Sequence, residues 1–180
     1  MHGRQDKGRE ERVKELVAKN IHACWGSGLF YIVAMSIVVI DQITKAIVRS
    51  AVPIGESLPL IPGFVYLTHI ANSGAAFGIL QNHRVLFFVA AAVVISLIIY
   101  FKRTLAKNNR AINLFLGLVM GGAIGNLIDR IAVGAVTDFV DFRFWPVFNV
   151  ADSAIVVGAV FLGVIVLGLA KEERADTSRP

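Results

Sequence analysis

Two carboxylates, Asp138 and Asp152, stand in apolar sequence at the edge of a hydrophobic run of membrane-span length, and neither has a basic residue close by in the chain. Acidic side chains at membrane depth cost free energy unless they are paired or neutralised, so such residues mark functional sites by default. Two carboxyl groups sharing one site can hold a single proton between them, and a pair in that state can activate water for peptide hydrolysis.

The other acids on the same side have simpler explanations. Asp41 has Lys45 one helical turn later, Asp141 has Arg143 two residues on, and Glu56 lies in a Pro/Gly-rich loop where solvation is expected. Asn126, Asp129 and Arg130 fall at i, i+3 and i+4, and an ion pair of Asp129 with Arg130 or another cation at the helix end is expected. A carboxylate beside a guanidinium stays ionised and does not trade a proton easily. Asp138 and Asp152 are what is left. For Asp152 a helix N-cap role competes with catalysis, because it precedes a span; for Asp138 the mostly apolar segment Val136 to Val140 offers little else to satisfy it.

Other chemistries find less support. The histidines, His2, His22, His69 and His83, form no i, i+4 metal pair, so no metal site is expected. Glycine loops for nucleotides and a G-x-S-x-G elbow are absent from the sequence. A Ser73–Lys45 peptidase pair remains as a competitor, opposed by the closeness of Lys45 to Asp41. No cofactor is implied.

The elements that must position these residues are set by composition. Of 180 residues 56% are hydrophobic and 17% charged, more apolar surface than one small soluble core can bury. Four runs, about Ala23 to Ile40, Val85 to Phe101, Ala111 to Ile128 and Ala154 to Ala170, have the roughly 17 to 25 residues that a bilayer core demands. With residues 1–22 placed inside, 13 of the 18 basic residues fall on the inner side, so both termini are expected to be cytoplasmic. The net charge of +5 then reports contact with an anionic leaflet rather than nucleic-acid binding.

Three regions follow: a polar tail at 1–22, one four-span domain at 23–170, and a second tail at 171–180. Cys24 is the only cysteine, which excludes an internal disulfide. Between the first two spans, Pro53, Gly55, Pro59, Pro62 and Gly63 bracket a strand-like stretch from Phe64 to Ile70, which predicts a small extracytoplasmic sheet. Residues 129–149 carry Phe139, Phe142, Phe144, Trp145 and Phe148, a composition suited to the lipid interface. Gly117, Gly121 and Gly125 recur every fourth residue and predict close helix packing. The fold class is thus a membrane all-α protein with a small β part.

Five segments, Asp41-Gln42-Ile43-Thr44-Lys45, Asn72-Ser73-Gly74-Ala75-Ala76-Phe77, Gly125-Asn126-Leu127-Ile128-Asp129-Arg130, Val136-Thr137-Asp138-Phe139 and Phe148-Asn149-Val150-Ala151-Asp152, closely resemble in order and spacing the boxes of bacterial lipoprotein signal peptidase, signal peptidase II. That resemblance implies an aspartic endopeptidase of the bacterial inner membrane that removes the signal peptide of diacylglyceryl-modified prolipoproteins before the lipidated cysteine. It implies a four-transmembrane-helix bundle with an extracytoplasmic β-cradle and a loop or short helix over the site. It places the catalytic aspartates on Asp138 and Asp152, and substrate-binding or supporting roles on Asp41, Lys45, Asn72, Asn126, Asp129, Arg130 and Asn149. Lipidated prolipoproteins, membrane phospholipid and globomycin-type inhibitors are the implied partners, and an oligomer is not required. Thr137 departs from the family pattern, where valine is more usual, and local packing is the expected consequence. Two other classes stay open: a four-span proton or cation transporter using its intramembrane carboxylates, and a passive membrane scaffold.

Overall fold

The computed structural model describes residues 28–74, 84–106 and 109–177. The tail at 1–22, Cys24 and His83 lie outside the described residues. Among those described, four helices are long and apolar enough to cross a membrane: α1 (Gly28–Ala51), α2 (Arg84–Thr104), α3 (Arg110–Ala132) and α4 (Val150–Thr177), the last apolar as far as Gly168. Three antiparallel strands, β1 (Ser57–Ile61), β2 (Val65–Asn72) and β3 (Val136–Asp141), form one sheet in the order β1-β2-β3. The segment expected as one strand is β2, and β1 turns into it through Gly63, whose φ of 81° suits glycine.

The connections place the sheet. β1 and β2 follow the end of α1 and precede the start of α2, while β3 joins the end of α3 to the start of α4. Both connections therefore leave the bundle from the same end, and β2 pairs with β3 across it.

The helices α1 and α4 run past the limits that hydropathy suggested. α1 continues from Ile40 through Ala51, which puts Asp41, Lys45 and Arg49 at i, i+4 and i+8 on one helical face. α4 starts at Val150, so Asp152 sits in its first turn.

α3 is the central helix: 61% of its apolar window is buried, against 6 to 22% for the other three, whose large apolar side chains such as Tyr31, Val89 and Val160 face outward as lipid-facing surfaces do. Its glycines let neighbours approach. A Cβ at Gly117 or Gly121 would lie 2.9 Å from the carbonyl oxygen of Phe30 or 2.6 Å from that of Ala34, both on α1. At Gly125 the close neighbour is a carboxylate, with Asp41 Oδ2 2.6 Å from the Cβ position.

Gly125 thus makes room for a charge as well as for a helix. Gly125→Ala is expected to displace Asp41 and lower stability by about 1–3 kcal/mol, the usual cost of overpacking. Thermal unfolding in mild detergent checks this, and an unchanged melting temperature would show that the carboxylate relocates freely.

Candidate active site

The site is organised around the start of α4. Asn149 caps the helix: its Oδ1 accepts the Asp152 N–H at 2.8 Å, and Asp152 Oδ2 accepts the Asn149 N–H at 3.2 Å. This reciprocal pair is a capping box with aspartate in place of glutamate. Asp152 is therefore the third helical residue and not the N-cap, because the helix begins earlier than the apolar run. A third helix-terminal donor, the Ala151 N–H, is taken by Asp41 Oδ1 at 2.9 Å.

The Asn149 side chain is fully buried, and its Nδ2 reaches Asp138 Oδ1 at 2.6 Å, with the Thr137 carbonyl and Asn126 Oδ1 at 3.3 and 3.2 Å. Asn149 thus holds Asp138 through its side chain and Asp152 through its backbone. The remaining carboxylate oxygens find amides as well: Asn72 Nδ2 donates to Asp138 Oδ2 at 2.8 Å, and Asn126 Nδ2 donates to Asp152 Oδ1 at 2.7 Å. Each oxygen of both carboxyl groups receives an N–H from an asparagine, and among the described residues neither group has a salt bridge.

Neutral donors fix geometry without fixing charge. Burial pushes the Asp138 carboxyl up to about 7; the hydrogen bonds from Asn72 and Asn149 pull it down, and the negative charge of Asp152 adds to the rise.

Both aspartates line one cavity of about 600 Å³, together with Asn72, Asn126 and Arg130. Phe87 of α2 and Val156 and Val157 of α4 give it an apolar wall, and Trp145 to Phe148 close its sheet side. The half-exposed Val156 and Val157 connect that wall with the outer surface of the bundle.

Behind the cavity lies a second group of charges, with Asp41, Lys45 and Asp129 buried and Arg49 at its partly exposed edge. Lys45 Nζ is 2.8 Å from Asp41 Oδ2, 3.3 Å from Asp129 Oδ2 and 2.9 Å from Asn126 Oδ1. Gln42 Nε2 donates to Asp41, Asp129 and the Gly125 carbonyl, and Arg49 Nη1 is 3.4 Å from Asp129 Oδ1. Lys45 thereby connects the ion cluster with Asn126, and through Asn126 with Asp152. Its three partners do not include Ser73, which leaves the serine–lysine alternative without a contact.

All nine residues singled out in the sequence gather at this end of the bundle. Asp129 and Arg130 differ from the simplest expectation, since the cations of Asp129 are Lys45 and Arg49. Successive helical residues point about 100° apart. Arg130 accordingly faces the cavity, stacked 4.8 Å over Phe87, with its Nη1 3.4 Å from the Asn126 carbonyl. Gln42, Arg49 and the Thr137 hydroxyl belong to the network although the sequence reading gave them no role there. The signal for Arg49 was its i+4 spacing from Lys45.

Residues 33–168 match the family model described as signal peptidase (SPase) II. The chain belongs to the signal peptidase II family. A lipoprotein signal peptidase of Halothermothrix orenii is 47% identical over 135 residues, covering 74% of this chain and 92% of the relative. One of Pelotomaculum thermopropionicum is 48% identical over 136 residues, covering 74% and 88%. A bacterial membrane enzyme solved by the in meso method at 2.3 Å superposes with a TM-score of 0.75 at 32% identity, over 85% of this chain and 94% of the other. Signal peptidase II is a protease, and the four apolar helices make this member a multi-pass membrane protein. The family assignment displaces the transporter alternative, and the acids of the network gather at one end of the helices instead of marking a path across them.

Proposed function

We propose that this signal peptidase II is an aspartic endopeptidase in which Asp138 and Asp152 share one proton and activate one water. Family membership gives prolipoproteins as the substrates whose signal peptides are removed. The observation that carries the aspartic reading is the pair itself: two carboxyl groups on one cavity, every oxygen held by an asparagine N–H and none by a cation. Two negative charges facing one partly buried cavity repel, so one proton is retained by the pair.

The ionised partner takes a proton from the water as its oxygen attacks the scissile carbonyl. The protonated partner donates to the developing oxyanion, and the tetrahedral intermediate breaks down as a proton passes to the leaving nitrogen. Asn72 and Asn126 keep the carboxyl groups aimed during these transfers, and Arg130 holds a substrate carbonyl at the cavity wall.

The scissile bond lies before a diacylglyceryl-modified cysteine. The apolar wall of Phe87, Val156 and Val157 lets acyl chains stay in lipid while the peptide reaches the polar floor, and a globomycin-type cyclic peptide competes for the same cavity. The site faces the extracytoplasmic side of the bacterial inner membrane with both termini cytoplasmic, a reading supported by the 13 of 18 basic residues assigned to the opposite side. All the groups named lie on one chain, so a monomer suffices.

The pH dependence tests the pair. A carboxyl pushed up to about 7 keeps its proton to neutrality, so raising the pH removes it. Turnover of a lipidated precursor in bilayers is expected to fall tenfold for each pH unit well above that point. A rate that stays flat through alkaline pH would overturn the shared-proton mechanism.

A further inference from the structure

The geometry points to Arg49 and Thr137 as positioning residues that aim Asp138. This inference rests on Asp138 being one half of the pair, and it assigns a task to two residues outside that pair and its asparagines.

Thr137 immediately precedes Asp138 in β3, and every polar group it carries is held. Its N–H donates to Asp129 Oδ2 at 2.9 Å, its carbonyl accepts from Asn149 Nδ2 at 3.3 Å, and its Oγ1 accepts from Arg49 Nη1 at 3.0 Å. Alternation along a strand sends the Thr137 and Asp138 side chains to opposite faces. Asp138 lines the cavity and Thr137 does not, so Thr137 acts through the backbone that the two residues share.

The sheet holds that backbone from the β2 side, where Val136, Thr137 and Asp138 pair with Asn72, Ala71 and Ile70, and the ladder is interrupted just beyond Asp138. Register slips between Leu67 and Ile70, so that Thr68 and His69 together oppose Phe139, the residue after Asp138. The Phe139 N–H bonds the Phe148 carbonyl at 3.0 Å, outside the β2 ladder. At such a bulge the strand direction depends also on what holds it from the side: Phe148 beyond Asp138, and at Thr137 Asn149 together with the Asp129–Thr137–Arg49 clamp. Arg49 reaches it because α1 continues past the apolar run, and its Nη1 bridges Asp129 Oδ1 and the Thr137 hydroxyl. The Thr137 hydroxyl therefore makes a hydrogen bond that a valine side chain of the same shape cannot make. Its effect extends beyond the packing expected from sequence.

The test uses the full chain in lipid nanodiscs with a synthetic diacylglyceryl precursor peptide, comparing Thr137→Val, Thr137→Ser, Arg49→Met and the Thr137→Val/Arg49→Met double variant. Valine has the shape of threonine without the acceptor. Thr137→Val is expected to lower kcat about tenfold at unchanged KM, as a small misplacement of a reacting group does. Thr137→Ser should restore most of that loss, and the double variant should be no slower than the slower single variant, because the Arg49–Thr137 contact that Thr137→Val removes is already lost in Arg49→Met.

Full kcat in Thr137→Val, an equal loss in Thr137→Ser, or losses that multiply in the double variant would each overturn the clamp. Asp138→Asn is measured alongside. If it is inactive while Thr137→Val is fully active, the pair stands and the clamp falls; if it cleaves normally, the pair falls and the clamp with it.

Discussion

Asp138→Asn and Asp152→Asn are each expected to lower cleavage of a lipidated precursor by at least about a thousandfold, since each removes a group that must carry a proton in the reaction. Asparagine has the shape of aspartate but cannot serve as base or acid at this step. The fold should survive. Asp138 accepts from Asn72 and Asn149, and Asp152 from Asn126 and the Asn149 N–H, so each substitution sets one amide hydrogen against a donor. An unsatisfied pair of that kind costs roughly 1–3 kcal/mol, and rotation of the neighbouring asparagine amide relieves part of it. Because the two carboxyl groups act as a unit, the double variant should be about as slow as either single variant. The measurement is single-turnover cleavage in bilayers, with folded protein quantified by circular dichroism. Activity within tenfold of the unaltered enzyme in either variant would remove that residue from the pair.

Comparing acids by their neighbours in the chain sets Asp138 and Asp152 apart from the others, because a local partner is a good proxy for a spatial one on a helix. Asp41 and Lys45 are one turn apart and do form the 2.8 Å pair. The proxy failed for Asp129, whose adjacent Arg130 points elsewhere while its cations come from α1. Hydropathy located all four helices but ended α1 at Ile40, because a window average cannot tell a polar loop from a helix whose polar residues share one buried face. Asp41, Lys45 and Arg49 recur every fourth residue, so the periodicity needed to extend α1 was present in the sequence. β2 was legible from its branched and aromatic residues, whereas β1, short and interrupted by Pro59, needed its partner to be seen. The capping of α4 depended on where the helix begins, which moved the cap from Asp152 to Asn149. The role of the Thr137 hydroxyl depended on a contact with a residue 88 positions away, which no local pattern encodes.

Lys45→Met should be among the most destabilising single changes in the chain. The lysine and its partner Asp41 are both fully buried, and Asp129 is only 1% exposed. Methionine fills much of the same volume, so the loss is electrostatic. Asp41 would keep only neutral donors, Gln42 Nε2 and the Ala151 N–H, while Asp129 would keep Arg49. Leaving a buried charge without its counter-ion costs about 3–5 kcal/mol, more than most hydrogen bonds contribute. Adding Asp41→Asn to Lys45→Met should recover part of that cost, because an asparagine oxygen can still accept the Ala151 N–H while the unpaired charge is gone. Chemical unfolding in mild detergent measures both variants, and equal stability of the single and double variants would show that the Asp41 charge is not the source of the loss. A second effect separates support of the site from support of the fold. Lys45 donates to Asn126 Oδ1, and the same amide presents its Nδ2 to Asp152. Without the lysine, Asn126 Oδ1 keeps only the longer 3.2 Å hydrogen bond from Asn149 Nδ2, so the stabilised double variant is expected to stay well below the unaltered enzyme in kcat even where it is fully folded. Restored stability together with restored turnover would mean that Asn126 is held in place without Lys45.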